Sequence, residues 1–169
     1  MSKNNHVVAA ALERSGLPDW MPEGEGKWSL PIAFLPEGAG WVELMRLRPG
    51  VRVGLHRHTG EVHALNLQGS RRLNDGRLVG VGEYVYEPSG NADWWQAEGA
   101  EDLIVHVVVK GAVEYLGAHR DVIASITTRD RIVDYHRHCS ELGLAPSELE
   151  CASRAPKGSG ARVEGNPVP

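Results

Sequence analysis

Three histidines lie close together in the first half of the chain: His56, His58 and His63. Side chains at positions i and i+2 of a β-strand project from the same face, so a strand here would point His56 and His58 in one direction. A Thr59-Gly60 turn follows, and a hairpin at that turn would fold His63 back toward the pair. Three neutral imidazoles suit Fe, Zn, Ni or Cu rather than Mg or Ca. The spacing predicts a transition-metal site, and the alternative is a chance cluster on a polar surface strand.

The composition excludes several classes of partner. The 169 residues include 18 Lys and Arg against 22 Asp and Glu, a formal charge of -4, which argues against binding to nucleic acid or to an anionic membrane surface. The longest apolar run is far shorter than the roughly 20 residues of a membrane-spanning helix. Two cysteines are too few for a disulfide framework. We expect a cytoplasmic protein that binds neither nucleic acid nor membrane.

The elements that must position the histidines are predicted to be strands. The 20 Gly and 10 Pro residues imply many turns, and short runs of β-forming residues recur between these turns, as is typical of a sandwich or barrel. The fold class is therefore all-β. The predicted strands are residues 27–35, 40–48, 52–57, 62–69, 77–79, 83–87, 93–96, 103–110, 113–115 and 121–125.

One amphipathic helix is predicted after the strands, over residues 128–143. Thr127 or Thr128 can cap it, apolar side chains recur at helical spacing, and Gly143 ends it. The chain then divides into a lead-in over residues 1–26, one domain over 27–144 and a flexible tail over 145–169.

A second segment rich in glycine and proline follows the histidines at a regular spacing. The combined pattern consists of Gly50, His56, His58, His63, Gly69, Gly82, Pro88, Gly90 and Asp93. It resembles the two-part signature of the cupin superfamily, which implies a single-domain antiparallel jelly-roll barrel that holds a metal ion inside. The ligand positions of that signature fall on His56, His58, His63 and Asp93. Relative to the commonest set of three histidines and one glutamate, the histidine and the carboxylate have changed places.

The resemblance gives Asp93 and His63 specific roles. If Asp93 binds with His56 and His58, two imidazoles and one carboxylate leave adjacent positions open on Fe(II) for substrate and oxygen. His63 is then a fourth ligand or a nearby catalytic base. The alternative for Asp93 is an ordinary turn residue, and Glu61 is a further candidate ligand.

A narrower resemblance extends from about residue 28 to residue 144. Segments 41–50, 56–64, 82–90 and 109–111 are similar to the 2,4'-dihydroxyacetophenone dioxygenase branch of the cupins. Its members are non-haem iron enzymes that cleave the carbon–carbon bond between a ketone and the adjacent hydroxymethyl carbon, giving an aromatic acid and formate. The resemblance implies an Fe(II) dioxygenase, with Zn, Ni or Mn as alternative ions, that takes a small aromatic or ketone substrate and O2. The branch has a histidine where this chain has Asp93.

Five further side chains are candidates for the substrate pocket because they neighbour the two motifs. These are Trp94, Trp95, Tyr84, Tyr86 and His106. Each of them could instead be an ordinary core residue, because Trp and Tyr dominate cores as well as pockets.

Competing functions remain open at the level of sequence. One is a non-oxidative metal cupin, an isomerase, cyclase or decarboxylase, that uses the ion as a Lewis acid. A second is a zinc-binding sensor module resembling the cupin half of anti-sigma factors, which would need a partner-binding helical domain that we do not find in this sequence. A third is a non-catalytic barrel that binds a small molecule. A homodimer or homotetramer is expected, since small barrels cover exposed strands by pairing.

Overall fold

The computed structural model describes residues 20–146 and Leu149. Within these residues, twelve strands, one short 3-10 helix (Pro36–Gly38) and one α-helix form the domain. The strands are β1 Met21–Gly24, β2 Lys27–Phe34, β3 Gly40–Leu47, β4 Arg52–His58, β5 Val62–Gln68, β6 Ser70–Leu73, β7 Leu78–Val79, β8 Tyr84–Glu87, β9 Ala92–Glu98, β10 Leu103–Lys110, β11 Val113–Leu116 and β12 Val122–Ile126. The helix α1 spans Thr128–Glu141. The prediction of a mostly β jelly-roll followed by one helix is confirmed.

Two antiparallel six-stranded sheets face each other. The first has the order β1-β2-β3-β10-β5-β8, and the second has the order β12-β11-β4-β9-β6-β7. Inner faces carry alternate apolar residues: in β10, Val105, Val107 and Val109 are buried. Burying these faces against each other is the main stabilising contribution to the fold.

Two strands were missed by the sequence prediction. Strand β1 lies within the predicted lead-in and pairs with β2, and its Met-Pro-Glu-Gly sequence has the composition of a turn rather than of a strand. Strand β6 contains Arg71 and Arg72, and its pairing with β9 is what places Arg71 inside. Residues 1–19 of the lead-in and most of the predicted flexible tail lie outside the described residues.

Helix α1 begins close to the predicted position. Thr127 is the N-cap, and its side chain and that of Asp130 form a reciprocal capping box. On the buried side, Tyr135 and Cys139 pack into the core. No helix among the described residues is long and apolar enough to cross a membrane.

Candidate metal centre and cavity

A β-bulge in β4 directs the histidine pair into the space between the sheets. The register between β4 and β9 pairs Val53 with Trp95 and His56 with Asp93, so β4 carries one more residue than β9 across this stretch. After the bulge, alternation puts both His56 and His58 on the inner face, where both are buried. The prediction that the two imidazoles share one face is confirmed.

The protonation state of His56 follows from its neighbours. Nδ1 of His56 lies 2.8 Å from the carbonyl oxygen of Gly54. Because a carbonyl only accepts, Nδ1 must carry the proton, and in the neutral ring Nε2 keeps its lone pair. That Nε2 lies 3.0 Å from Nε2 of His58. The two ring nitrogens that bind metals therefore converge.

His58 is held neutral in a buried position. Its Nε2 lies 3.4 Å from Oε2 of Glu87, a buried carboxylate on β8 of the opposite sheet. Burial and the neighbouring His56 lower the pKa of His58 to about 3. The contact with Glu87 is thus not an ion pair near neutral pH, and His58 is available as a neutral ligand.

Asp93 lies next to the pair on the inner face. It is directly opposite His56 in the β4–β9 ladder and only 5% exposed. Burial raises the pKa of Asp93, while the backbone N–H groups of Trp94 and Asn74 and the charge of His56 act against that rise. Oδ1 of Asp93 has no hydrogen-bond partner among the described residues. Asp93 therefore adjoins the histidines without lining the cavity described below, and its role as a metal ligand stays a prediction.

The donor set fits a divalent transition metal. Across residues 20–146 and Leu149, no three His, Cys, Asp or Glu side chains form a ready-made cage, so the assembled part is the imidazole pair, with Glu87 and Asp93 beside it. Two ligand atoms at about 2.1 Å from one ion and at right angles to each other are roughly 3 Å apart. The His56–His58 separation matches this value. Neutral imidazoles with a buried carboxylate suit Fe, Zn or Ni.

The pair opens into a small cavity between the sheets. Its volume is about 60 Å³, and its walls are mostly apolar. A cavity of about 150 Å³ takes benzene, and one of about 10–15 Å³ takes a water molecule. A space of this size admits a group of a few heavy atoms and is too small for an aromatic ring. Among the lining side chains are Met45, Val53, Ala64, Trp95, Val107 and Tyr115.

Arg71 brings a buried positive charge to the same cavity. Its side chain is 1% exposed, and its guanidinium carbon lies 4.9 Å from the centre of the Trp95 ring. Burial lowers the pKa of Arg71 to about 10, while Glu87 and Asp93 act in the opposite direction. The guanidinium is consequently charged at neutral pH.

A surface cleft adjoins the cavity at one end. It has a volume of about 450 Å³ and shares five lining residues with the cavity: Glu23, Lys27, Tyr115, Ile126 and Arg131. Arg131 of α1 donates to Ser29 on β2 at 2.6 Å and to the carboxylates of Glu23 and Glu43. This network fastens the helix beside the opening.

His63 does not join the pair. It alternates with the buried residues Val62 and Ala64 on β5, so its side chain lies on the outer face of the sheet. There Nδ1 contacts the hydroxyl of Tyr84, and Nε2 lies 3.4 Å from Glu61. The expectation that the hairpin returns His63 to His56 and His58 is wrong, because the apolar residues on either side of His63 take the inward positions. Glu61 is outside for the same reason and binds Lys110.

Four of the five predicted pocket residues also lie away from the cavity. Tyr84 and Tyr86 are 55% and 51% exposed, because Val85 and Glu87 occupy the inward positions of β8. His106 alternates with buried valines on β10 and faces outward, half-buried. Trp94 faces out under Arg52, whose guanidinium carbon is 3.6 Å from the ring centre. Of the five, Trp95 lines the cavity, and its contact with a substrate stays a prediction.

Glu87, Arg71 and Tyr115 were not singled out from the sequence. The inward position of Glu87 could have been predicted, because strand alternation places Glu87 on the same face as the apolar residue Val85. Tyr115 gave a weaker one, and its ring centre lies 5.9 Å from that of His56. Arg71 gave none, because two consecutive arginines are typical of a solvated segment.

Comparisons with solved structures show the same architecture. An RmlC-like cupin protein from Ralstonia eutropha JMP134 superposes with a TM-score of 0.75 at 25% identity, covering 81% of this chain and 90% of that one. An acetylacetone dioxygenase from Acinetobacter johnsonii superposes with a TM-score of 0.64 at 17% identity, covering 70% of this chain and 86% of that one. No curated protein matches the chain significantly.

The sequence also matches a family as a whole. Residues 10–114 match the family described as the ChrR cupin-like domain. This span takes in the strands that carry His56, His58, Glu87 and Asp93 and more than half of the chain. The protein belongs to the ChrR cupin-like family of the cupin superfamily.

Proposed function

We propose that this protein is an Fe(II)-dependent dioxygenase that cleaves a small hydroxyketone, such as a dihydroxyacetophenone, between its carbonyl and hydroxymethyl carbons. The observation that carries the proposal is the buried pair of neutral imidazoles, whose Nε2 atoms are 3.0 Å apart next to a buried carboxylate. The acetylacetone dioxygenase with the same fold supports the choice of chemistry, since it shows that this architecture can host an oxygenase.

The overall reaction balances without a further reductant. One hydroxyketone and one O2 give one carboxylic acid and one formic acid; the carbon–carbon bond breaks, and each new acid gains one oxygen atom. His56 and His58 would hold a ferrous ion, and the ion would supply the electrons that let O2 react with an organic molecule.

The chain's own residues hold and tune that site. His56 and His58 are the nitrogen ligands, and the carbonyl of Gly54 keeps the proton of His56 on Nδ1. Glu87 is the carboxylate nearest to them, and Asp93 is the second. The low pKa of His58 keeps its ring unprotonated. Because Nε2 of His58 donates to Nε2 of His56, metal binding at neutral pH requires the ring proton of His58 to move from Nε2 to Nδ1, with no net loss of a proton.

The reacting end of the substrate would lie in the cavity, and the rest of the substrate would lie in the cleft. The cavity of about 60 Å³ admits the two-carbon hydroxyketone head and, with its apolar walls, keeps bulk water from the reacting atoms. An aromatic ring would lie toward the cleft of about 450 Å³, alongside Tyr115 and Lys27. This arrangement favours substrates that are slim at the reacting end and tolerates variation at the other end.

The experiment is anaerobic purification followed by metal analysis and measurement of O2 uptake. The substrates are hydroxyacetone and 2-hydroxyacetophenone, and formate is quantified as a product. We expect about one Fe per chain and equimolar consumption of O2 and release of formate. His56→Ala and His58→Ala should abolish metal binding and uptake. His63→Ala is the matched control, because this histidine lies on the outer face, and it should retain both.

Other outcomes point to different functions. Zn or Ni without O2 uptake would contradict the dioxygenase and favour Lewis-acid chemistry at the same residues. A protein that takes up no metal would leave a small-molecule-binding barrel. Loss of metal in His63→Ala would contradict the assignment of the site to the inner face.

A further inference from the structure

The guanidinium of Arg71 has one unused edge. Its Nε and Nη2 atoms are both buried and have no hydrogen-bond partner among residues 20–146 and Leu149. These two nitrogens form the side of the guanidinium that donates two parallel hydrogen bonds to a carboxylate. Buried donors of a charged group are rarely left unpaired, because the lost hydration is not replaced. The edge therefore marks a position for a partner that is not part of the described chain.

The carboxylates nearby are held in other ways. Oε2 of Glu87 accepts a hydrogen bond from Nδ2 of Asn91 at 3.1 Å and faces Nε2 of His58. The backbone N–H groups of Trp94 and Asn74 act on the carboxylate of Asp93, whose Oδ1 has no hydrogen-bond partner among the described residues. The negative charges of both carboxylates favour the charged form of Arg71. Neither carboxylate accepts a hydrogen bond from its Nε or Nη2 atom.

The charges around the cavity favour one anion. Arg71 contributes one positive charge, and Glu87 and Asp93 contribute two negative charges when both are ionised. A divalent ion at the histidine pair would leave a net single positive charge, which one monoanion neutralises. Arg71 lines the same small cavity as His56 and His58, so the anion would lie close to the ion.

We propose that the Nε–Nη2 edge of Arg71 binds the carboxylate of a small monocarboxylic acid inside the cavity. The charge argument rests on the proposed metal site, whereas the unpaired edge does not. The class includes the acids that the proposed cleavage releases, so the site would retain product and cause product inhibition. With about 60 Å³ available, the carboxylate end enters the cavity, and any larger group points toward the cleft.

The test measures acetate binding by titration calorimetry on the full chain, both Zn-loaded and treated with chelator. Acetamide has nearly the same shape without the charge. We expect acetate to bind the Zn-loaded protein, acetamide to bind at least about 10-fold more weakly, and Arg71→Met to weaken acetate by a similar factor. Arg71→Lys keeps the charge without the paired donors and should give an intermediate loss. It also provides a folded variant if Arg71→Met does not fold.

Arg72→Met is the matched control. Arg72 is the next residue, but it lies on the outer face and pairs with Glu98, so acetate affinity should not change. Equal acetate affinity in wild type, Arg71→Met and Arg71→Lys would overturn the carboxylate site, as would equal binding of acetate and acetamide. Zn binding is measured separately in the same proteins. If Zn does not bind, the proposed function fails, and Arg71-dependent acetate binding by the chelator-treated protein still supports this site.

Discussion

Oε2 of Glu87 and Nε2 of His58 lie 3.4 Å apart, although the two residues belong to different sheets. Glu87 comes from β8 at the edge of one sheet, and His58 comes from β4 in the interior of the other. The contact joins the two layers at the candidate metal centre. It also makes Glu87, which lies outside the predicted ligand positions, the carboxylate closest to the imidazole pair.

Glu87→Gln should weaken metal binding more than Asp93→Asn does. Removing the closer negative charge takes away a ligand oxygen, whereas Asp93 is set back from the cavity and acts mainly through its charge on His56. We expect a loss of at least about 10-fold in affinity for Glu87→Gln and a smaller loss for Asp93→Asn. Competition with a chromogenic chelator measures both. The reverse order would make Asp93 the carboxylate ligand, as the family pattern implies.

Acid should destabilise the metal-free protein through His58. The pKa of His58 is about 3 in the folded protein and about 6.5 in an unfolded chain, so the unfolded state takes up a proton first as the pH falls. The stability contributed by the neutral ring is complete above about pH 6.5 and is lost progressively toward pH 3, on the order of a few kcal/mol. The raised pKa of Asp93 has the opposite effect on stability, because at acidic pH the folded state takes up this proton more readily than the unfolded state.

This dependence is measured by urea unfolding in the presence of chelator at a series of pH values. His58→Asn has no titrating ring at this position, so its free energy of unfolding should fall less steeply with acid than that of the wild type. Parallel curves for the two proteins would show that His58 titrates normally in the folded state.

Arg131→Met should lower stability and loosen α1. Arg131 is buried and contacts Glu23, Ser29 and Glu43. Its removal leaves the buried carboxylate of Glu43 without a cation, whereas Glu23 keeps Lys27, and we expect a cost of about 3–5 kcal/mol. Arg137→Met is the matched control on the same helix, since Arg137 is exposed and pairs with Asp134, a contact worth about 0–1 kcal/mol. Chemical denaturation measures the difference. Equal losses in both variants would contradict the role of Arg131 as the anchor of the helix.

Changes at the exposed tyrosines should not affect catalysis, in contrast to changes at the cavity wall. Tyr84→Ala and Tyr86→Ala lie on the outer face, and kcat/KM for a hydroxyketone should stay within about 2-fold of the wild type. Trp95→Leu removes part of the wall and the ring beside Arg71, so it should lower kcat/KM by at least about 10-fold. Steady-state O2 uptake measures all three. Similar losses at Tyr86 and Trp95 would place the substrate outside the cavity.

The sequence predicted what depends on local periodicity. Strands such as β4, β5 and β10 alternate clearly, and His56 and His58 share a face because of that alternation. It was harder to predict which face of each strand points toward the space between the sheets. On β5, Val62 and Ala64 take the inner positions and send His63 outward. On β8, the apolar ring surfaces of Tyr84 and Tyr86 made them better pocket candidates than Glu87, yet the inward positions are those of Val85 and Glu87.

Other features depend on pairing between segments distant in the chain. Arg71 becomes buried only because β6 pairs with β9, and an arginine shows no preference for burial in its local sequence. The network of Arg131 joins α1 to three strands more than 80 residues earlier. Such contacts follow from the assembled topology and leave little trace in the spacing of neighbouring residues.

The bulge in β4 has a consequence for proton placement. The extra residue takes Gly54 out of the regular pairing with β9, and the Gly54 carbonyl accepts its hydrogen bond from the side chain of His56 instead. An irregularity in the sheet thus selects the imidazole tautomer. Deleting Leu55 would restore a regular ladder and keep both histidines pointing inward. Without the bulge, no contact described in β4 would hold the proton of His56 on Nδ1, although both imidazoles would still face the space between the sheets.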